Sequence, residues 1–166
     1  LGDTGVTTGV TVGNRTEDHE IKDIENVKGS SKGDSLYGND ENNTLYRNEG
    51  DDTLSGAGGD DYFDGGSGTD TVDYSQATED LNVSIEDGTK TISASQGEDT
   101  FKDIEGVIGG SGNDILKGNE VENTLIGNAG NDTLYSRGTT TGTDYLDGGN
   151  DEDYVSFADK TGSGVT

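Results

Sequence analysis

The sequence contains no cysteine, proline, methionine or tryptophan, and it has a single histidine among its 166 residues. Without cysteine, the chain can form neither a disulfide framework nor a thiolate metal site. Apolar side chains are also scarce, since leucine, isoleucine, valine and phenylalanine together account for 30 residues. So little apolar surface cannot offset the entropy cost of ordering the chain. Composition alone therefore predicts a chain that is disordered in plain buffer.

Positive charge is scarce as well. Ten lysine and arginine residues face 35 aspartate and glutamate residues, which gives a formal net charge of −25. This balance excludes nucleic acid as a partner, because polyanions bind stripes of Lys and Arg. No apolar run approaches the roughly 20 residues of a membrane span, and no lysine-rich amphipathic helix suggests membrane-surface binding. The partner that this composition favours is a cation.

The signatures of common enzymes are missing too. There is no H-E-x-x-H motif, and the "GGSG" segments at Gly65 and Gly109 lack the spacing of a G-x-S-x-G nucleophile elbow. A glycosidase needs two carboxyl groups in unlike environments, which a repetitive acidic chain does not offer. We expect no catalytic site in this chain, and we expect any enzymatic activity to belong to adjoining domains of a longer parent protein.

What the sequence does have is a repeat of nine residues. An apolar residue recurs at this spacing in two series, which are Leu36, Leu45, Leu54, Phe63 and Val72, then Leu116, Leu125, Leu134, Leu146 and Val155, with a three-residue insertion around Ser136–Gly138. Two residues before each stands an acid or its amide: Asp34, Asn43, Asp52, Asp61 and Asp70, then Asp114, Asn123, Asp132, Asp144 and Asp153. Glycines recur at two turn positions of the repeat, seven and four residues before the apolar one, the second set being Gly50, Gly59, Gly68, Gly112, Gly130 and Gly142.

A second period of 80 residues is superimposed on the first. The segment "IKDIENVKG" at Ile21–Gly29 matches "FKDIEGVIG" at Phe101–Gly109. The chain is therefore expected to be an excerpt from a longer array, divided into an N-terminal flank or cap at 1–27, a first roll at 28–75, a middle flank at 76–107, a second roll at 108–158 and the start of a truncated flank at 159–166. The middle flank alternates over Leu81–Ser95 and breaks at Asp87-Gly88, which predicts an antiparallel hairpin that caps the rolls.

A nine-residue repeat with one inward apolar residue predicts a parallel β-roll. Side chains alternate along a strand, so the apolar residue of each three-residue strand points inward while its neighbours point outward. Two strands and two turns make one coil, and each coil stacks on its neighbours. The fold class predicted is all-β, with two tandem rolls and hairpin caps. The turn of Asp34 should lie beside those of Asp52 and Asp70, and Asn43 should lie beside Asp61 on the opposite side.

Stacked acidic turns point to Ca²⁺. Aligned carboxylates a few ångströms apart repel each other, and a divalent cation between the turns would remove that repulsion. Ca²⁺ accepts six to eight oxygen ligands from carboxylates and backbone carbonyls in flexible geometry, whereas Mg²⁺ demands a near-octahedral site and holds its waters.

The segment "GGSGNDIL" from Gly109 resembles the G-G-x-G-x-D-x-U-x nonapeptide of the RTX (repeats-in-toxin) family. The resemblance implies that several calcium ions drive folding of a secreted chain that is otherwise disordered. It also implies export, unfolded, by a type I secretion machinery into a calcium-rich exterior. Carried onto this sequence, it implies side-chain ligands at Asp34, Asp52, Asp61, Asp70, Asp114, Asp132, Asp144 and Asp153. Backbone carbonyls of the turn glycines would complete the sites: Gly29, Gly56, Gly65, Gly66, Gly109, Gly110 and Gly127, together with the six glycines of the second set.

Several turns depart from the motif. Asn43 and Asn123 lack charge, and Glu41 and Val121 replace glycine in the same two turns, so the second turn of each roll is expected to bind calcium weakly or not at all. Lys32 and Arg47 interrupt two turns of the first roll, and the insertion at Ser136–Gly138 is expected to bulge out.

Two functional classes stay open at this point. One is a calcium-dependent folding and secretion module of a toxin or exoenzyme, and the other is a calcium-rigidified structural or adhesive segment of a large bacterial surface protein. The outward tyrosines Tyr37, Tyr46, Tyr135, Tyr145 and Tyr154 allow a sugar-binding strip as a less favoured alternative.

Overall fold

A computed structural model describes residues 8–10, 19–21, 25–29, 31–93, 95–137 and 143–157, and all regular structure in these ranges is β-strand. This confirms the all-β class. The first eight strands are β1 (Thr8–Val10), β2 (His19–Ile21), β3 (Asn26–Lys28), β4 (Ser35–Tyr37), β5 (Thr44–Tyr46), β6 (Thr53–Ser55), β7 (Tyr62–Asp64) and β8 (Thr71–Asp73). The others are β9 (Asn82–Ser84), β10 (Gly88–Ser93), β11 (Gly97–Lys102), β12 (Gly106–Ile108), β13 (Ile115–Lys117), β14 (Thr124–Ile126), β15 (Thr133–Tyr135), β16 (Tyr145–Asp147) and β17 (Tyr154–Ser156). None of the described segments forms a helix long and apolar enough to cross a membrane.

The strands form a parallel β-solenoid with sheets on two sides. The long sheet has the order β4-β6-β8-β12-β14-β16. The first short sheet is β3-β5-β7-β11-β10, and the second short sheet is β9-β13-β15-β17. Successive repeats alternate between the two sides, so strands two repeats apart are hydrogen-bonded neighbours, as the coil of two nonapeptides predicts.

The core is a ladder of the central strand residues. In each of β4 to β8 the middle side chain is fully buried, at Leu36, Leu45, Leu54, Phe63 and Val72, and the same holds for Leu116, Leu125 and Leu134 in the second series. Their neighbours along the strands point outward; Tyr37 and Tyr46, for example, are more than 40% exposed. The predicted inward ladder is confirmed for these eight positions. At the far end, Leu146 is only partly buried and Val155 is 46% exposed.

The middle segment continues the solenoid. Strand β12 pairs in parallel with β8 on one side and with β14 on the other, so the long sheet runs unbroken from the first series of repeats into the second. Strand β11 extends the first short sheet by pairing with β7, and its Phe101 ring stacks on Phe63 at a centroid distance of 5.8 Å. The pairing of β12 with β8 and β14 therefore joins the two series of repeats through backbone hydrogen bonds.

The predicted hairpin turn at Asp87-Gly88 was wrong. The antiparallel pair is β10 with β11, while β9 pairs in parallel with β13. Alternation marks β9 as a strand but cannot say which partner it takes, and Val83 is buried in the core in the same way as the repeat apolar residues. At the N-terminal end, β1 and β2 also pair antiparallel.

Part of the expected bulge at Ser136–Gly138 was wrong as well. Ser136 is 1% exposed and directly follows β15, so it takes the first-turn place that glycine holds in most repeats. Its hydroxyl contacts Asp144 Oδ2, which explains why a small polar side chain is accommodated there. Gly138, the last residue of the insertion, and Gly142 lie outside the described residues.

Candidate metal centre

The repeat acids line up in rows at the start of the strands. The long-sheet row consists of the residues that precede the long-sheet strands: Asp34, Asp52, Asp70, Glu105, Asn123 and Asp144. The first short-sheet row is Asn43, Asp61 and Asp99, and the second is Leu81, Asp114, Asp132 and Asp153. Asp34 stacks beside Asp52 and Asp70, and Asn43 beside Asp61 on the opposite side, as the repeat predicts.

One hydrogen bond repeats along each row and fixes the carboxylates. The Oδ1 atom of one acid accepts the backbone N–H of the preceding row member, with distances of 2.7 Å from Asp34 to Asp52 and 2.8 Å from Asn43 to Asp61. The second short-sheet row shows the same bond from Asp114 to Asp132 at 2.7 Å. Each acid is thus held in register by the coil before it, and its second oxygen remains for another partner.

That second oxygen is buried and unsatisfied at several positions. The Oδ2 atoms of Asp52, Asp61, Asp70 and Asp132 are inaccessible to solvent and have no hydrogen-bond partner among the described residues. A buried carboxylate without a partner is costly. These four oxygens mark where the fold lacks a positive group.

Glycines leave the room around these oxygens. A Cβ placed on Gly127 would lie 2.2 Å from Asp132 Oδ2 and 2.5 Å from the Gly148 carbonyl oxygen. Gly56 has the same relation to Asp61, and Gly65, Gly109 and Gly148 lie equally close to their own acids. At Gly65, Gly109 and Gly127 the acid and a backbone carbonyl oxygen therefore reach the same space.

The glycine four residues before the apolar residue has a positive φ in most turns. Gly59 has φ +104° and Gly130 has φ +113°, a region that disfavours other residues. Gly50 and Gly68 share this conformation, whereas Gly112 does not and is required because a Cβ there would meet the Glu79 backbone at 2.5 Å.

The donor set suits a hard cation. Carboxylate oxygens and turn carbonyls converge where the chain supplies no sulfur and no imidazole, which matches the preference of Ca²⁺ for oxygen. Within the described ranges, no three Asp, Glu or His side chains gather tightly enough to hold a metal by themselves. Any ion must therefore draw on backbone carbonyls, as the turn glycines predict.

Sequence reasoning missed two acidic members of the rows. Asp99 is fully buried in the first short-sheet row; its Oδ1 accepts the Asp61 N–H at 2.9 Å, and its Oδ2 accepts the Tyr74 hydroxyl proton. Glu105 Oε2 accepts the Asp70 N–H at 2.9 Å in the long-sheet row. The signal for Asp99 was present, because "DTF" at Asp99–Phe101 repeats the "DTL" pattern outside the nine-residue register.

In the second turn of each series, the asparagine side chain forms hydrogen bonds within its own turn. Asn43 Oδ1 accepts the Asn39 N–H at 2.7 Å, and Asn123 Oδ1 accepts the Asn119 N–H at 2.9 Å. In both turns the amide also donates its Nδ2 hydrogen to the same partner's Oδ1. These turns lack an orphaned oxygen at the amide, which supports the prediction that they bind calcium weakly or not at all.

The buried acids have raised pKa values. Burial raises the pKa of Asp61 and of Asp70 to about 7, and neighbouring acids, Asp99 beside Asp61 and Asp52 beside Asp70, add to the shift. Burial likewise raises the pKa of Asp99 and of Asp132 to about 6. The folded turns therefore favour a positive group, either a proton or a metal ion, at these carboxylates.

Without metal, acid is expected to favour the fold. An unfolded Asp has a pKa of about 3.9, so between that value and about 7 the folded state holds more protons at Asp61 and Asp70 than the unfolded chain does. The stabilisation is complete below the unfolded pKa and is lost as the pH rises through the folded pKa. Far-UV circular dichroism in EDTA should show more β-structure at pH 5 than at pH 7.5. Equal spectra, or more β-structure at pH 7.5, would contradict the burial of these groups.

Comparison with known proteins agrees with this geometry. Four copies of a family model described as the RTX calcium-binding nonapeptide repeat match residues 23–54, 37–72, 108–138 and 139–158. Together they span 23–72 and 108–158, which is more than half of the chain. No curated protein matches the chain.

Proposed function

Since the chain belongs to the family of RTX calcium-binding nonapeptide repeats, we propose that it is a module that folds from a disordered acidic chain as several Ca²⁺ ions bind. The observation that carries this proposal is the set of buried, unpartnered carboxylate oxygens at Asp52, Asp61, Asp70 and Asp132. Bound calcium supplies the positive charge that these oxygens lack.

The residues that would hold the ions are those of the rows and their turns. Asp61 with Gly56, Asp70 with Gly65, Asp132 with Gly127 and Asp114 with Gly109 and Gly110 combine a buried acid with a close turn backbone. Asp144 and Asp153 each accept the N–H of the preceding row member, so they join the set at the far end. Asp52 joins the set in the long-sheet row, next to Asp70. Asp34, at the near end of that row, faces the Arg47 guanidinium instead.

Calcium binding to the folded state alone links calcium concentration to stability. A chain with net charge −25 and a core built on one apolar residue per repeat needs that contribution. Such a chain stays unfolded where calcium is scarce and folds where it is abundant. This behaviour supports a role in type I secretion, with export of the unfolded chain followed by extracellular folding alongside a toxin or exoenzyme domain of the parent protein.

The test is a calcium titration of the chain, with magnesium as the matched divalent control. A cooperative transition from coil to β-structure with calcium, absent with magnesium, is the expected outcome, because the donor set and its flexible turns favour Ca²⁺.

A second candidate is a calcium-rigidified structural or adhesive segment of a bacterial surface protein. The observation that favours it is the unbroken long sheet from β4 to β16, which passes through the middle segment. Single-molecule stretching of the calcium-bound chain separates the two roles. A stalk should resist force as one unit, whereas a folding module needs no mechanical resistance.

A further inference from the structure

Arg47 stands where most repeats have glycine, at the first turn position after β5. Arg47 is nevertheless only 4% exposed, although arginine in proteins normally stays at the surface. Its side chain extends toward the preceding coil. A Cβ built on Gly29 of that coil would lie only 2.7 Å from Arg47 Cδ. The missing side chain at Gly29 therefore makes the room that Arg47 fills.

The guanidinium lies between two acids of the long-sheet row. Arg47 Nη1 is 3.1 Å from Asp34 Oδ2 and 3.4 Å from Asp52 Oδ1, and all three side chains are fully buried. Nη2 donates to the Thr53 carbonyl oxygen at 3.2 Å. The group thus contacts two carboxylates and a backbone carbonyl, the same types of oxygen that a calcium ion would use.

In this row the unsatisfied oxygens begin at Asp52, the more distant of the two acids that Arg47 contacts. Asp52 Oδ2 and Asp70 Oδ2 are buried without a hydrogen-bond partner among the described residues, whereas Asp34 Oδ2 faces the guanidinium. Burial lowers the pKa of Arg47 to about 10, against the opposing effect of Asp52 and Asp70. The guanidinium is still charged at neutral pH.

We propose that the Arg47 guanidinium is a resident cation that takes the place of a calcium ion between Asp34 and Asp52. The inference rests on the proposed function, since it concerns how many ions the module binds and where. The chain itself then balances one of the two negative charges of the first pair of acids in the long-sheet row, at any calcium concentration. Calcium is required only from the Asp52–Asp70 pair onward, so this end of the solenoid depends least on the metal.

The test is the number of calcium ions bound per chain at saturation, measured by native mass spectrometry and by equilibrium dialysis. Arg47→Gly restores the glycine of the repeat and should bind one ion more than the wild type. Arg137→Gly is the matched control, because it removes an equal charge from a side chain that is 31% exposed and paired with Glu86. It should leave the number of bound ions unchanged.

A second pair of variants keeps Arg47 in place. In the wild-type background, Asp34→Asn should leave the number of bound ions unchanged, while Asp70→Asn should lower it by one. An unchanged number in folded Arg47→Gly, or a lost ion in Asp34→Asn, would overturn the resident cation. If Arg47→Gly does not fold in calcium, the Asp34→Asn and Asp70→Asn pair decides the question. Absence of calcium from every chain, including the wild type, would instead reject the proposed function.

Discussion

Phe63→Ala is expected to lower the free energy of unfolding in saturating calcium by about 3–5 kcal/mol. Phe63 is fully buried at the centre of β7, and its ring stacks on Phe101 of the middle segment with an interplanar angle of 9°. The substitution removes a core rung and the ring contact between β7 and the non-repeat strand β11. Urea denaturation at fixed free calcium measures the loss.

Tyr62→Ala is the matched control, because it removes an aromatic ring from the adjacent residue of the same strand. Tyr62 faces outward, with its ring centroid 5.7 Å from that of Tyr46. Losing such a pair should cost only about 0.5–1.5 kcal/mol. If the two variants lose similar stability, or if Tyr62→Ala loses more, the inward and outward assignment of this strand is wrong.

Asp132→Asn is expected to remove one calcium site and the stability that comes with it. Asp132 is fully buried, its Oδ1 accepts the Asp114 N–H, and its Oδ2 is unpartnered within the described residues. Asparagine preserves the shape and the hydrogen bond to Asp114 but removes the charge. At free calcium about one hundred times the site's Kd, the lost binding corresponds to about 2.7 kcal/mol. Denaturation at several calcium concentrations should show a deficit that grows with calcium.

Asp147→Asn provides the control for Asp132→Asn. Asp147 ends strand β16 with an exposed side chain and belongs to none of the rows. Its substitution changes the net charge equally and should leave the calcium dependence of stability unchanged. Equal deficits in the two variants would mean that calcium acts on the overall charge of the chain rather than at the row sites.

The nine-residue repeat predicted most of the solenoid because the same spacing recurs in strand after strand. A shift by one residue in any strand would turn the buried Leu45 or Leu54 outward, so the spacing of nine fixes which side chains face the core. The same spacing predicted which acids stack, since two repeats make one coil.

The sequence could not predict the middle segment to the same extent. There the spacing of nine lapses, and alternation identifies strands without naming their partners, so β9 was assigned to a hairpin instead of to β13. Asp99 and Glu105 were missed because they join the rows through strand pairing and not through the repeat register. The division of the chain into separate rolls and caps stays a prediction, as do the individual ligands.

At the irregular turns, the placement of a side chain also depends on the coil that stacks next to it. Arg47 was predicted to interrupt its turn, yet the neighbouring Gly29 and two acids give its side chain a buried place. Such a fit depends on the residue one coil away, which a scan of single repeats does not consider.

Whether the fold depends on calcium is tested by far-UV circular dichroism of the whole chain during a calcium titration at pH 7.5, with magnesium in parallel. We predict a coil in EDTA, a cooperative change to β-structure as calcium rises, and no such change with magnesium at the same concentrations. A β-rich spectrum that EDTA leaves unchanged, or an equal response to magnesium, would contradict a fold that depends on calcium held in its acidic turns.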